Sequence, residues 1–261
     1  METIIIIPAR YGSSRFPGKP LAPVSGISLL ERVWRIGKSV AGVDQVVVAT
    51  DDERIVTHVK GFGGNAVMTS DSCQNGSERV YEAVTNLKVS PRVIINLQGD
   101  AVLMPPWVIG SLVAEMTRDK AVQISTPAVR LTKQQYNAMS AMKSAGVVSG
   151  TTVTFNTQRD AMYFSKGIIP FVRSFPQDGA SPIYQHIGVY AYTAESLKRY
   201  ISLPMGQFEA VEQLEQLRAL EHGIPIRVVE VSMQGRTMWS VDNPQDVKRC
   251  EDIIKAEGEL I

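Results

Sequence analysis

IIIIPARYGSSRFPGK, Ile4 to Lys19, sets an apolar run directly against a polar loop. Four consecutive isoleucines with no polar face read as a strand covered on both sides, and Pro8 closes it. The loop that follows has neither a helical period nor strand alternation. It carries Arg10, Arg15 and Lys19 together with Gly12 and Gly18. Glycines let backbone amides approach a ligand, arginine forks match phosphate oxygens, and lysine supplies a point charge. The loop therefore reads either as a polyphosphate cradle or as a solvated turn. It is neither of two familiar phosphate loops. Five residues rather than four separate its glycines, Pro20 follows the lysine, and no GxGxxG is present.

Working outward, the first half alternates strand and helix. Leu29, Leu30, Val33 and Trp34 recur at helical spacing after Ile4–Ile7, and Val46–Ala49 reads as the next strand. Asp51 or Asp52 can cap a helix carrying Ile55, Val56 and Val59, which Gly63 and Gly64 end. Ala66–Met68 is a third strand, Glu78–Leu87 a third helix, and Val93–Leu97 a fourth strand. Repeated βαβ units imply an α/β fold with a parallel, doubly wound sheet. From about 117 to 193 the pattern turns to short strands and loops, among them Thr151–Phe155 and Gln185–Tyr192. Helical spacing returns over Phe208–Leu220, followed by a strand at Ile226–Val231 and a last helix from Pro244. The expected organisation is one domain, 1–261, with an irregular β-rich insertion near 130–190.

Composition narrows the function classes. A net charge of +1 gives no basic surface for nucleic acid and no polybasic membrane patch. No stretch approaches the roughly 20 apolar residues of a membrane span. The first apolar run, four isoleucines between Glu2 and Pro8 with one threonine, is too short for a signal peptide. Two cysteines without metal spacing fit a reduced, cytosolic setting.

Four further stretches carry candidate chemistry. In INLQGDAVLMPP, Asp100 lies just past the fourth strand, where open α/β sheets bind ligands. A carboxylate facing a polyphosphate needs a cation between them, which suits Mg²⁺; a plain turn aspartate is the other reading. In WSVDNPQDV, Asn243 is a good helix N-cap, Pro244 suits the first helical position, and Asp246 falls three residues after the cap. Asp242 is left over, as a second metal carboxylate or as a helix-end charge. In QHIGVYAY, strand alternation puts His186, Gly188, Tyr190 and Tyr192 on one face and Ile187, Val189 and Ala191 on the other. The first face serves as a polar pocket or as aromatic packing. In EAVEQLEQLRAL, Glu212, Glu215, Gln216 and Arg218 make a solvated helix face, or some of them bind sugar hydroxyls.

Taken in order, IPARYGSSRFPGKPL, VATDD, NGSERV, NLQGD, HIGVYAY, LEQLRALEHG and VDNPQD resemble the 3-deoxy-manno-octulosonate (Kdo) cytidylyltransferases, the CMP-Kdo synthetases. The resemblance runs over nearly the whole chain. It implies a nucleotide-sugar-transferase-like, doubly wound and mostly parallel sheet in a homodimer. It implies transfer of CMP from CTP to the anomeric hydroxyl of an eight-carbon 2-keto sugar acid, releasing pyrophosphate. The setting it implies is the cytoplasm of a Gram-negative bacterium building cell-surface polysaccharide. By the same resemblance Arg10, Ser13, Arg15 and Lys19 hold the triphosphate, and Asp100 and Asp242 hold Mg²⁺. Arg79, Gln98, His186, Tyr190, Glu215 and Gln216 border the sugar, with Arg79 meeting its carboxylate.

The chain departs from that pattern in places. Ala101-Val102 stand where the family usually has Glu-Pro, and Lys166 where it has arginine. Thr151–Thr154 and Met238–Ser240 also differ from the usual residues. These changes fall nearer the sugar than the CTP, which points to a variant acceptor such as the 8-amino analogue rather than Kdo, within an expected range of Kdo or a close analogue. Two alternatives stand beside this reading: a nucleotidyltransferase for another sugar acid or sugar phosphate, and a silent nucleotide-binding homologue.

Overall fold

The computed structural model of the chain describes residues 1–12, 15–176 and 180–261. Its first half is built as the alternation predicts. Strand β1 (Thr3–Pro8) leads through the short ribbon β2 (Pro23–Val24) and β3 (Ile27–Ser28) into helix α1 (Leu29–Ser39). Then follow β4 (Gln45–Thr50), α2 (Glu53–Gly61), β5 (Asn65–Met68), α3 (Gly76–Asn86) and β6 (Val93–Asn96). The helices begin where the side chains allow it. Ser28, Asp52 and Asn75 each accept a backbone N–H of the following first turn.

Strands β5, β4, β1 and β6 lie side by side in that order, all parallel. Ile4, Ile5, Ile6 and Ile7 are all 0% exposed, which a strand achieves only with packed layers on both faces. Ile5 and Ile7 join the layer made with α1 and α2; Ile4 and Ile6 join the opposite layer with α3. Each such side chain contributes about 1.5–3 kcal/mol by burial. The chain runs outward from β1 to β4 and β5, then crosses back through α3 to β6 on the far side of β1. Such a switch point opens a crevice beyond the strand ends.

The second half is mixed and only partly matches the sequence reading. It comprises α4 (Pro106–Arg118), β7 (Ile124–Arg130), α5 (Lys133–Ser144), β8 (Thr152–Phe155), β9 (Ala161–Ser165), β10 (Tyr184–His186) and β11 (Tyr190–Tyr192). The chain ends with α6 (Ala194–Ile201), α7 (Gln207–Glu212), α8 (Leu217–Glu221), β12 (Arg227–Val231) and α9 (Pro244–Glu257). Antiparallel β11 joins β6 to β7, after which β10, β8 and β9 continue the sheet. Strand β12 adds in parallel to the other edge of β7. An Asp160–Arg227 bridge returns the end of the sheet to β12, so this half curls round on itself.

Three differences have physical causes. The region near 130–190 holds helix α5, where short strands and loops were expected. Only Met139 of that helix is buried, so its apolar period is faint, although Thr132 and Gln135 form a capping box that marks its start. Helices α4 and α6 also lie outside the predicted elements; α4 buries Val108, Ile109, Leu112, Val113 and Met116. The helix expected over Phe208–Leu220 is broken into α7 and α8 by Gln213, whose φ of 51° is left-handed. Phe208 and Val211 consequently stay exposed instead of continuing an apolar stripe to Leu217.

Candidate active site

The crevice at the switch point collects residues from four places in the sequence. Its wall includes Arg10, Arg15 and Lys19 after β1, Cys73–Gly76 and Arg79 at the start of α3, Gln98 and Asp100 after β6, and Asp242 before α9. The β1 loop folds back on itself: Gly18 donates its N–H to the Tyr11 carbonyl at 3.0 Å. Gly18 has φ +71°, and a Cβ there would sit 3.2 Å from the Tyr11 hydroxyl, so only glycine closes the loop without strain. Tyr11 is itself covered by the Arg54 guanidinium, 3.4 Å from the ring centroid. Ser13 lies outside the described residues.

Two loops meet face to face across the crevice. A Cβ on Gly99 would stand 3.0 Å from the Pro8 carbonyl, so glycine permits the approach of the β6 loop to the β1 loop. Lys19 Nζ then reaches Asp100 Oδ2 at 2.9 Å and the Val241 carbonyl at 2.9 Å. Arg15 meets Asp242 at 3.5 Å, with both side chains largely in solvent. Cations from one loop thus neutralise carboxylates from two others, and the three segments close on one centre. The turn after Gln98 forms with Ala101-Val102 in place of the Glu-Pro that the resemblance led one to expect. Ala101 and Val102 donate to the carbonyls of Gln98 and Asp100, and Val102 is buried beneath.

Arg79 enters the wall already engaged. Its guanidinium, 4% exposed, donates to Asp51 at 2.9 Å, to Thr69 at 2.6 Å and to the Ser70 carbonyl at 3.3 Å. Sequence reasoning treated Asp51 only as a possible helix cap. Asp52 takes that role, and Asp51 anchors Arg79 instead. The Cys73–Gly76 wall was also missed as lining. The Asn75-x-x-Glu78 spacing is a helix-start signature that could have placed it, since Asn75 caps α3.

Four candidates lie deeper than that wall: His186, Tyr190, Glu215 and Gln216. A polar chain leads toward them from the crevice. Gln98 donates to Asn96 at 2.9 Å, Asn96 to Ser77 at 3.4 Å, and Ser77 to Glu215 at 3.3 Å. Burial raises the Glu215 carboxyl above its ordinary range, opposed by the Ser77 hydrogen bond and by Arg218. Gln216 is 6% exposed, and its Nε2 has no hydrogen-bond partner among the described residues. A buried amide left open in this way costs about 1–3 kcal/mol, so it favours a ligand oxygen that completes it.

Strand alternation in QHIGVYAY survives a break after His186. Ile187, Val189 and Ala191 join one core layer, while Tyr190 and Tyr192 join the other. Tyr190 and Tyr192 are 4% and 3% exposed, so most of that face is packing. His186 stands between the Phe164 and Tyr190 rings, 5.1 and 5.5 Å away. Thr126 Oγ1 lies 2.9 Å from both His186 Nε2 and the Val189 carbonyl. Because that hydroxyl spends its proton on a carbonyl, Nε2 is the donor of the neutral ring and Nδ1 the acceptor.

Burial pushes the His186 imidazole down from 6.5 to about 3. The unfolded chain therefore takes up a proton across that interval that the folded protein refuses. The associated stability is complete above pH 6.5 and is lost as pH falls toward 3. Between pH 7 and pH 5 the wild-type protein is expected to lose about 2 kcal/mol more than His186→Asn, read by urea unfolding. Glu215, shifted the opposite way, is common to both proteins and cancels in the difference. Parallel losses in the two proteins would refute the buried neutral imidazole.

The chain is similar to known proteins over its whole length. Residues 4–231 match the family model described as Cytidylyltransferase. The chain is 54% identical to the 3-deoxy-manno-octulosonate cytidylyltransferase of Maricaulis maris (strain MCS10), over the whole of both chains. It is 39% identical to the 8-amino-3,8-dideoxy-manno-octulosonate cytidylyltransferase of Shewanella halifaxensis (strain HAW-EB4), covering 96% of this chain and 98% of that one. A solved CMP:2-keto-3-deoxy-manno-octonic acid synthetase complexed with CTP superposes with a TM-score of 0.86 at 35% identity, covering 98% of this chain and all of the other. With its mixed sheet, its flanking helices and matches of this extent, the chain belongs to the 3-deoxy-manno-octulosonate cytidylyltransferase family.

Proposed function

We propose that this chain, working as a single catalytic unit, transfers CMP from CTP to the anomeric hydroxyl of a 3-deoxy-octulosonic acid. The observation that carries the reading is the cleft where Lys19 and Arg15 meet Asp100 and Asp242. Arg10, Arg15 and Lys19 hold the triphosphate, whose negative charge otherwise repels an incoming oxygen nucleophile. The sugar sits over Gln98 and the deeper recess. There Gln216 Nε2 and His186 Nδ1 offer one donor and one acceptor to its hydroxyls, and guanidinium N–H donors left over on Arg79 face the carboxylate. With both substrates fixed, the anomeric oxygen forms a bond to the α-phosphorus as the α–β anhydride bond breaks, and pyrophosphate departs.

Asp100 and Asp242 suit Mg²⁺. Among the described residues no group of three or more His, Cys, Asp or Glu side chains gathers into a protein-only cage. Mg²⁺ takes one or two carboxylates and completes its shell with phosphates and water. When bound there, it supplies charge neutralisation on the phosphates and acidifies the attacking hydroxyl. With Asp100 and Asp242 engaged in holding the ion, Lys19 and Arg15 would be free to meet the triphosphate.

The test is pyrophosphate release with CTP, Mg²⁺ and a panel of acceptors. Kdo is expected to turn over, with the 8-amino acid as the second acceptor because relatives at 38–39% identity carry that name. Sugar phosphates, and ATP or GTP in place of CTP, are expected to give less than about 1% of that rate. Turnover of a sugar phosphate instead of every sugar acid refutes the assignment. A homodimer is part of the proposal, supported by the exposed Met162, Phe208 and Val211. Light scattering that returns a mass near 28.6 kDa rather than twice that value removes it. The proposed compartment is the cytoplasm; among the described residues no helix is long and apolar enough to cross a membrane.

A further inference from the structure

Asp242 owes its place to its backbone. Its carboxylate is half exposed, and its ion pair is with a mobile-length partner, Arg15, at 3.5 Å. The segment beneath it is pinned at several points. Val241 is fully buried, donates its N–H to the Asp100 carbonyl at 3.3 Å, and offers its own carbonyl to Lys19. Asp246 does the rest. Its Oδ2 accepts the backbone N–H groups of Asp242 and Asn243, each at 2.9 Å. Its Oδ1 accepts the indole N–H of Trp239 at 3.0 Å, and the Arg249 guanidinium lies 3.5 Å from the centroid of that indole ring.

A capping box at the start of α9 accounts for the Asn243 bond and for nothing more. The bonds to Asp242 and to Trp239 are extra. They spend both oxygens of one carboxylate on the short segment that presents Asp242 to the cleft.

We infer that Asp246 is a positioning residue for Asp242, and that the Trp239 indole N–H, stacked on Arg249, fixes the Asp246 carboxylate in its clamping orientation. This rests on the proposed role of Asp242 toward a divalent ion. Without the indole bond the carboxylate swings about its terminal torsion, and the Asp242 backbone gains freedom. That freedom must be given up when the ion binds, so the loss appears in ion affinity and not in the rate at saturation.

The experiment follows Mn²⁺ binding by electron paramagnetic resonance in the presence of CTP, using the full-length protein. Asp242→Asn is expected to weaken binding by more than about 10-fold, Asp246→Asn by about 10-fold and Trp239→Phe by about 3- to 5-fold. The Trp239→Phe enzyme is expected to keep kcat at saturating Mn²⁺ within about twofold of wild type, with its shift confined to the metal dependence. A purely structural tryptophan predicts the reverse: a lower Tm and an unchanged metal dependence. If Asp242→Asn weakens Mn²⁺ binding while Trp239→Phe and Asp246→Asn stay within twofold of wild type, the clamp is wrong and the site reading stands. If Asp242→Asn itself leaves binding unchanged, the site reading fails and the inference falls with it. Should one of the two clamp variants fail to fold, the other carries the same measurement.

Discussion

Asp100→Ala is expected to lower kcat/KM about a thousandfold, on the order of 4 kcal/mol of transition-state stabilisation, while leaving the protein folded. The two halves of that expectation have separate grounds. Among the described residues Asp100 is one of two carboxylates lining the cleft, so its loss removes a ligand from the proposed ion and disturbs the neutralisation of three phosphates at once. Its contribution to stability is small, because the Lys19–Asp100 pair is 19% and 28% exposed and Lys19 keeps the Val241 carbonyl. Partly solvated pairs of this kind are worth about 0–1 kcal/mol. Lys19→Met is expected to cost about a hundredfold. The double variant is expected to lose far less than the product, since the two side chains serve one centre. Steady-state kinetics with CTP and Kdo measures all three. An Asp100→Ala enzyme within threefold of wild type would remove Asp100 from the mechanism.

Glu209→Ala is expected to destabilise the fold by about 3–5 kcal/mol, the largest stability loss predicted for a single polar residue here. Glu209 and Arg218 form a bidentate pair at 2.6 and 2.7 Å, with side chains only 7% and 9% exposed. Those forked hydrogen bonds hold Arg218 still more firmly in its charged form. Removing the carboxylate leaves a guanidinium out of water without its main counter-charge. The Tyr200 ring, 5.4 Å away, offsets a minor part. Exchanging both residues for apolar ones of similar volume is expected to cost less, because no orphan charge remains. The pair also spans the turn between α7 and α8 that carries Glu215 and Gln216. Loosening it is expected to raise KM for the sugar acid several-fold while leaving KM for CTP unchanged. Urea unfolding and paired KM measurements test the two effects. A loss below 1 kcal/mol would mean that water reaches Arg218 once Glu209 is gone.

Much of the parallel half was legible because its strands and helices announce themselves locally. Four isoleucines in succession demand cover on both faces, and Asp52, one of the two caps the sequence offered, sits where α2 begins. The second half was less legible for reasons of the same physical kind. Helix α5 buries a single methionine, so its period is faint. The break at Gln213 follows from no glycine or proline; it is stabilised by Glu209 reaching Arg218 across the turn. Arg218 and Gln216 read as a solvated helix face, and tertiary packing buried both.

In the candidate site the division is similar. The sequence alone gave the chemical types: a cation-bearing glycine loop after a buried strand, a carboxylate just past the fourth strand, and an aspartate left over from the cap of the last helix. Those follow from local composition and from strand ends, which neighbouring residues determine. Only the tertiary structure decided who meets whom. It paired Arg79 with Asp51, linked Gln98 to Glu215 through Asn96 and Ser77, and clamped Asp242 with Asp246 and Trp239. The longest of these links, Ser77 to Glu215, spans 138 residues, whereas the Asp246 contacts span only 4 and 7. Which of several polar groups a buried charge finds depends on crossings of the sheet that no local pattern encodes.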